Sequence, residues 1–435
     1  MAAKLVPIKA WNSSGRFPAV SAFLERNSVE ERAMAAASEI LLDVRKRGDK
    51  AVVAAAKKFD GSRIRAETMR VTNQEVDQAH QLVDDAFKDA ALEAHKRIRL
   101  FAEKGLREDW NMPTPHGGEL GERFIPFDRI GAYIPGGAAP LASTALMTLT
   151  LAKVAGVKQL IACSPADKDG TLNPYIIYAL SLAGADEIYK IGGVHAIGAM
   201  AYGTETISRV RKIVGPGGPY VTAAKRQVYG DVALDMVAGP SEIAILCDSS
   251  ANPAHMAADL LSQAEHGTGS EKSLLVTTSE IQAKAIRAEV IKQAKELSRR
   301  EPVRQVMEKG MLLVTVKSLK EGVELCNRFA PEHMELVVKQ PERWVDQILT
   351  AGALFIGPYT PEAVGDFVAG PSHVLPTGGT CHYFSGLTVE DFRRRSSLVR
   401  FTEKDLKETL PVVEAFGRVE TLDGHAKSAT IRFQS

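Results

Sequence analysis

From residue 130 onward, short apolar runs rich in β-branched residues alternate with helical segments, and this rhythm restricts the chain to one class of fold. The runs "IGAYIPGG", "QLIACSP", "EIYKIGG" and "RKIVGPGG" are spaced by segments such as "STALMTLTLAKVAGV" and "NPYIIYALSLAGA". A continuous apolar strand must be covered on both faces, which requires a parallel sheet with helices above and below it. A second series follows: "SEIAILCD", a helix carrying "DLLSQAEH", "SLLVTTS", a long helix expected from 280 to 299, "GMLLVTV", another helix, "HMELVV" and "GALFIG". The sequence therefore predicts two α/β domains with parallel-type sheets. The first hundred residues read as helical, since Ser28-Val-Glu-Glu31 and Thr72-Asn-Gln-Glu75 both fit a capping box. After residue 385 the strand rhythm fades into "GLTVEDFRRRSSLVRFT" and a helical tail, expected to be an appended arm.

Composition narrows the partners. Charged residues make up 25% of the 435 and nearly cancel, leaving a net charge of +1. No broad basic field exists to attract nucleic acid or an acidic membrane, so a small molecule is the expected partner. Cys163, Cys247, Cys326 and Cys381 are far apart, and the first two lie in apolar runs. That usage fits a reducing compartment and offers no paired-cysteine metal site. The start, "MAAKLVPIKAWNSSG", lacks the basic-then-apolar pattern of a secretion signal, and no uncharged apolar stretch of about 18 residues follows. A soluble cytoplasmic protein is expected.

The chemistry lies in polar islands of the second series. Asn252 and Pro253 open a helix whose apolar arc is Met256, Ala257, Leu260, Leu261 and Ala264, with Asp259, Gln263 and His266 together at its edge. Glu265 points away, so this is no HExxH zinc pair; Gln263 and His266 are the candidate ligands. Taken alone, His266 could instead be a histidine stabilising a helix C-terminus ended by Gly267. "RFAPEHMELVV" sets Glu332 and His333 in a bend before a strand, "GDFVAGPSHVLP" sets Asp366 and His373 on either side of a Gly-Pro turn, and "VETLDGHAKSA" offers Glu420 and His425. Such nitrogen and oxygen donors suit a divalent zinc, and an adjacent Glu-His pair supplies a base and a water activator. The loops "IPGGAAP", "IGGVHAIG" and "VGPGGPY" follow apolar runs and could present backbone N–H groups to a phosphate, or be tight βα turns; none is a GxGxxG fingerprint.

Taken in order, "IGAYIPGG", "GGVHAIGAMAYGTE", "KIVGPGG", "AGPSEIAIL", "DLLSQAEHG", "RFAPEHMEL", "GDFVAGPSHVLPT" and "GHAKSA" resemble the histidinol dehydrogenase family over nearly the whole chain. The resemblance implies two Rossmann-like domains with N-terminal helices and a C-terminal helical arm, assembled as a domain-swapped homodimer. It divides the chain into an N-terminal segment (1–27), a zinc and catalytic domain (28–132 with 243–385), an NAD-binding domain (133–242) and a dimerisation arm (386–435). It implies oxidation of L-histidinol to L-histidine through the aldehyde, with NAD and one zinc per site. Gln263, His266, Asp366 and His425 would be the metal ligands, His425 coming from the partner subunit. Glu332 and His333 would be catalytic. Ser241, Gln263, His266, His333, Asp366, His373, Glu420 and His425 would surround the substrate.

Tyr133 matches the family's NAD contact, but His195 stands where the family usually has Gln in "GGAQAI", and Gly218 where it has Asn in "GPGN". His195 keeps a hydrogen-bonding group, whereas Gly218 has no side-chain amide. The alternatives are a dehydrogenase of this family acting on another primary alcohol, such as a sulfopropanediol, a zinc hydrolase using Glu332, and a binding protein that has lost its cofactor. Ser241, Glu420 and His425 favour histidinol.

Overall fold

The computed structural model describes residues 5–25, 31–136, 140–237 and 239–434. Ser28 of the first expected capping box and residues 137–139 of the "IPGGAAP" loop lie outside them; the second box forms, with Thr72 and Glu75 capping reciprocally.

Two parallel sheets organise the chain. The first places its strands in the spatial order Glu187–Tyr189, Gln159–Cys163, Arg129–Tyr133, Lys212–Val214, Ala233–Leu234. The second runs Met311–Thr315, Lys272–Thr277, Glu242–Cys247, His333–Val337, Ala353–Ile356, with Ile8–Ala10 added in parallel at the Met311–Thr315 edge. In each sheet the earliest of the five principal strands lies at the centre. The chain first builds outward to one side and then returns to the other, so both sheets have a switch point between their first and fourth strands. Arg129–Tyr133 and Glu242–Cys247 are buried along their whole length, as unbroken apolar strands require.

The helices of the first hundred residues pack differently from the expected grouping of 28–132 with 243–385. Glu31–Arg47 lies on Gly193–Tyr202 and Pro219–Val228, and Asn73–Leu82 and Asp85–Gly105 lie on Pro174–Leu182 and Ala142–Val154, so both layers cover the five-stranded sheet. The cause is a small-residue fit: Ala33, Ala37, Leu41 and Val44 form the buried stripe of the first helix, and Gly198 lets Leu41 and Val44 approach the facing helix closely. The strand Arg129–Tyr133 is the centre of that same sheet. The segment before residue 27 contributes Ile8–Ala10 to the other one.

Two further expectations change. The helix expected from 280 to 299 ends at Gln293, and a new helix, Arg300–Lys309, begins two residues before Pro302. Proline lacks the N–H that a helix interior needs and is accommodated in a first turn, so a fresh start upstream of Pro302 satisfies it. In the arm, Arg393–Arg400 is an eight-residue strand, antiparallel to Glu119–Pro126, which also pairs with Trp110–Pro113. Its side chains are nearly all exposed, so it lacks the apolar alternation that marks a half-buried strand. Helices Glu403–Val419 and Asp423–Thr430 complete the arm. Val399, Val412, Phe416 and Val419 lie open on it. No described helix is long and apolar enough to cross a membrane.

Candidate active site

Strand starts and helix ends converge at the N-terminal edge of the six-stranded sheet. Helix Pro253–Ala264 is capped by Asn252, whose side chain accepts from the Ala254 N–H, and runs back so that its last turn lies beside the first residues of the central strand. Gln263 is fully buried there and His266, just past the helix end, is exposed. Arg299 donates to the His266 carbonyl at 3.1 Å, and Gly267, in the left-handed region, turns the chain away. On the neighbouring strand His333 is the first residue and Glu332 precedes it. Helix Glu362–Phe367 brings Glu362 and Asp366 over the same edge, and its first N–H is held by Glu335 at 2.9 Å.

Hydrogen bonding defines the orientation of these groups. The Gln263 amide is satisfied when its nitrogen faces Glu362 Oε1 (3.1 Å) and the Glu242 carbonyl (3.2 Å). Its oxygen then lies on the side of His266 Nδ1, 3.3 Å away. In that orientation the amide nitrogen also lies 3.2 Å from His333 Nδ1, whose other polar neighbours are Glu362 Oε1 at 3.4 Å and Glu332 Oε2 at 3.8 Å. Nδ1 accepts from the amide nitrogen in this orientation and would donate to the amide oxygen in the other, so the tautomer of the ring follows the placement of the amide. Nε2 is buried, lacks a hydrogen-bond partner among the described residues, and lies 3.7 Å from Asp366 Oδ1. Glu332 accepts from the Glu242 N–H at 3.0 Å and is bonded by the Ser241 side chain.

Burial dominates the electrostatics. It pushes Glu332 well above the usual carboxylate range, with the nearby Asp366 and Glu242 charges adding and the Glu242 N–H opposing. Glu362 is raised for the same reason, by burial and then by Asp366, Glu335 and Glu332. Burial lowers His333 to about 4, against the pull of Asp366, so its imidazole is neutral. Asp259 is raised to about 6 by burial and shares a hydrogen bond with Glu335. A cluster this rich in carboxylates attracts a cation, and ligand atoms of His266, Glu362 and Asp366 lie within 4.8 Å of one another. That donor set, with the Gln263 oxygen alongside, fits a divalent zinc.

The five-stranded sheet meets this edge through His373. Its Nδ1 bonds the Asp366 carbonyl at 2.9 Å and its Nε2 the Thr144 hydroxyl at 3.2 Å, in the first turn of helix Ala142–Val154. Tyr133 ends its strand with its hydroxyl accepting from the Gly193 N–H at 3.3 Å, and burial raises it to about 12. Gly218 is exposed at the cap of helix Pro219–Val228, and a Cβ there would meet nothing. His195 sits differently: it is 1% exposed, with Nε2 3.2 Å from Asp60 Oδ2. Its imidazole is turned into the protein rather than presented on the surface.

Ser241, Gln263, His266, Glu332, His333, Asp366 and His373 are thus brought together, whereas Glu420 and His425 are exposed on the arm and their hydrogen bonds stay within it. Sequence reasoning missed Glu362, Glu335 and Glu242. For Glu362 a signal existed, because it precedes Asp366 by four residues and a helix puts such a pair on one face.

The histidinol dehydrogenase family model matches residues 24–433. The histidinol dehydrogenase of Heliobacterium mobile is 41% identical over 421 residues, covering 96% of this chain and 98% of its own length. That of a Synechococcus species is 43% identical over 401 residues, 92% of each chain. The crystal structure of histidinol dehydrogenase from Elizabethkingia anophelis superimposes with a TM-score of 0.92 at 34% identity, covering 99% of this chain and 98% of that one. With a shared α/β fold and sequence similarity along almost its entire length, the chain belongs to the histidinol dehydrogenase family.

Proposed function

We propose that this chain oxidises L-histidinol to L-histidine through the aldehyde, in two NAD-dependent steps that close histidine biosynthesis, as a cytoplasmic homodimer with one zinc per site. Family membership supports the reaction, and the observation that carries the mechanism is the buried, unpartnered Nε2 of His333 beside His266 and Asp366. Gln263, His266 and Asp366, with the partner subunit's His425, would hold the zinc, which when bound supplies a positive anchor for the substrate's amino and imidazole nitrogens. Two NAD molecules, bound in turn against Tyr133 and the Gly218 turn, would each accept one hydride.

The protein's own groups then divide the proton work. His333 takes the hydroxyl proton of the alcohol as hydride leaves, and the Glu362 and Glu332 carboxyls near its ring stabilise the imidazolium that forms. Glu332 removes a proton from water as it adds to the aldehyde carbon, His333 returns its proton to the carbonyl oxygen, and the hydrate then gives up its carbon-bound hydrogen as the second hydride and a hydroxyl proton to His333, leaving the acid. Burial raises the proton affinity of Glu332, so its carboxylate, once ionised, holds the water's proton more firmly. His373, tied to Thr144, holds the edge carrying substrate against the edge carrying cofactor. The partner subunit's Glu420 would close the pocket around the imidazole end.

The test is NADH formation by the zinc-loaded protein with L-histidinol and with a panel of other primary alcohols, including a sulfopropanediol. Preference for L-histidinol, lost on chelation, is expected. Preference for another alcohol would make the chain a dehydrogenase of different substrate, and no turnover with any alcohol would end the dehydrogenase reading.

A further inference from the structure

The five-stranded sheet contains an ion pair almost without access to water: the Lys225 and Asp235 side chains are 3% and 0% exposed. Burying two charges costs desolvation that their attraction roughly offsets, so such a pair is weak as a source of stability and is better explained by what it holds in place. Both partners grip one residue. Lys225 Nζ donates to the Gly215 carbonyl at 2.9 Å, and the Gly215 N–H donates to Asp235 Oδ2 at 2.7 Å. Asp235 Oδ1 meets Lys225 Nζ and also accepts from the Met236 N–H at 2.6 Å. The two peptide groups flanking the Gly215 α-carbon are therefore fixed by side chains from a helix and from the segment after the last strand.

The packing around that residue is as strict. Gly215 has φ +109°, and a Cβ on it would collide with the Tyr133 carbonyl oxygen. A Cβ on Gly217 would collide with Val221, yet one on Gly218 would meet nothing. The turn Gly215–Gly218 is thus clamped at its root against the end of the Tyr133 strand and open at its tip, where helix Pro219–Val228 begins.

Resting on the NAD reading above, we infer that Lys225 and Asp235 are positioning residues for the cofactor: their pair sets the Gly215–Gly218 turn at the height and angle that a dinucleotide needs against Tyr133. Neither side chain touches the cofactor. Both act through the Gly215 backbone, which is preformed before anything binds.

The test compares wild type with the charge-free pair Lys225→Met with Asp235→Asn, which keeps the stem of the lysine and an acceptor for the Gly215 N–H. NADH affinity is read by fluorescence titration, and zinc content, L-histidinol affinity by calorimetry and the thermal midpoint are read on the same preparations. The inference predicts NADH affinity weaker by about tenfold, the loss of one or two buried hydrogen bonds, and KM for NAD raised in step. Zinc content, L-histidinol affinity and kcat should move little. A folded variant with wild-type NADH affinity overturns it, as does a parallel fall in zinc content, L-histidinol affinity and thermal midpoint, which would make the pair structural only. Should the double variant fail to fold, Asp235→Asn alone carries the test, with NADH affinity weakened about threefold as the expected result and no change as the contrary one. Wild type that does not bind NADH would instead defeat the NAD reading itself.

Discussion

The two parallel sheets share a strand order and use opposite edges. On the five-stranded sheet, Tyr133, Gly193 and the Gly215–Gly218 turn lie at the C-terminal ends of strands, where helices begin. On the six-stranded sheet, Ser241, Glu242, Glu332 and His333 lie at the N-terminal ends, where helix Pro253–Ala264 finishes. Helix starts offer N–H groups and the positive end of the dipole, which suit a phosphate-bearing cofactor; helix ends offer carbonyls and the negative end, which favour a cation. The first edge is therefore built mainly from backbone. The second must be furnished with side chains, and a buried cluster of carboxylates and imidazoles is the result.

If that contrast is right, substitutions on the catalytic edge are severe and those on the cofactor edge are graded. The largest effect is expected for His266→Ala, where loss of a zinc ligand should lower zinc affinity on the order of a hundredfold and abolish turnover with it; full zinc content by metal analysis would remove His266 from the site. Mixing this variant with His425→Ala should restore about a quarter of wild-type activity, because a random heterodimer has one intact site of two. Background activity after subunit exchange, confirmed by mass, would show that His425 serves its own chain.

Glu332→Gln comes next. The alcohol step should survive better than the aldehyde step by about a hundredfold, the usual worth of a general base, measured by supplying L-histidinol and L-histidinal separately. Equal losses would break the division of labour between Glu332 and His333. Thr144→Val removes the bond between the two edges, leaving His373 Nε2 without its partner. A cost of about 1 kcal/mol is expected, roughly fivefold in kcat/KM for L-histidinol, with unchanged NADH affinity. The smallest effect sharpens the comparison from the other side. Gly218→Asn adds an amide where nothing obstructs a side chain, and should tighten NADH binding by about fivefold with zinc content unaltered; weaker binding would mean that the turn tip does not face the cofactor.

Legibility in the sequence followed burial. Strands such as Glu242–Cys247, covered on both faces, announce themselves as unbroken apolar runs, and the polar edge of helix Pro253–Ala264 that leads through Gln263 to His266 follows from helical periodicity. Arg393–Arg400 did not, because an exposed strand has no apolar face to write into its pattern. The layer to which the first helices belong was also hidden, since periodicity reveals an apolar stripe but not its partner; Leu41 and Val44 find Gly198 only in three dimensions. Glu362 and Glu335 escaped because each acidic residue is individually ordinary, and what distinguishes them is burial beside Gln263 and Asp259. His195 was legible as a departure from the family pattern, but its direction towards Asp60 was not.

The central claim is that the facing edges complete both oxidations without releasing the aldehyde. Its most direct measurement is the amount of NADH formed per L-histidinol consumed by the zinc-loaded protein, with an aldehyde trap present throughout. Two equivalents of NADH and no trapped aldehyde are predicted; one equivalent, with L-histidinal accumulating in the trap, would contradict it.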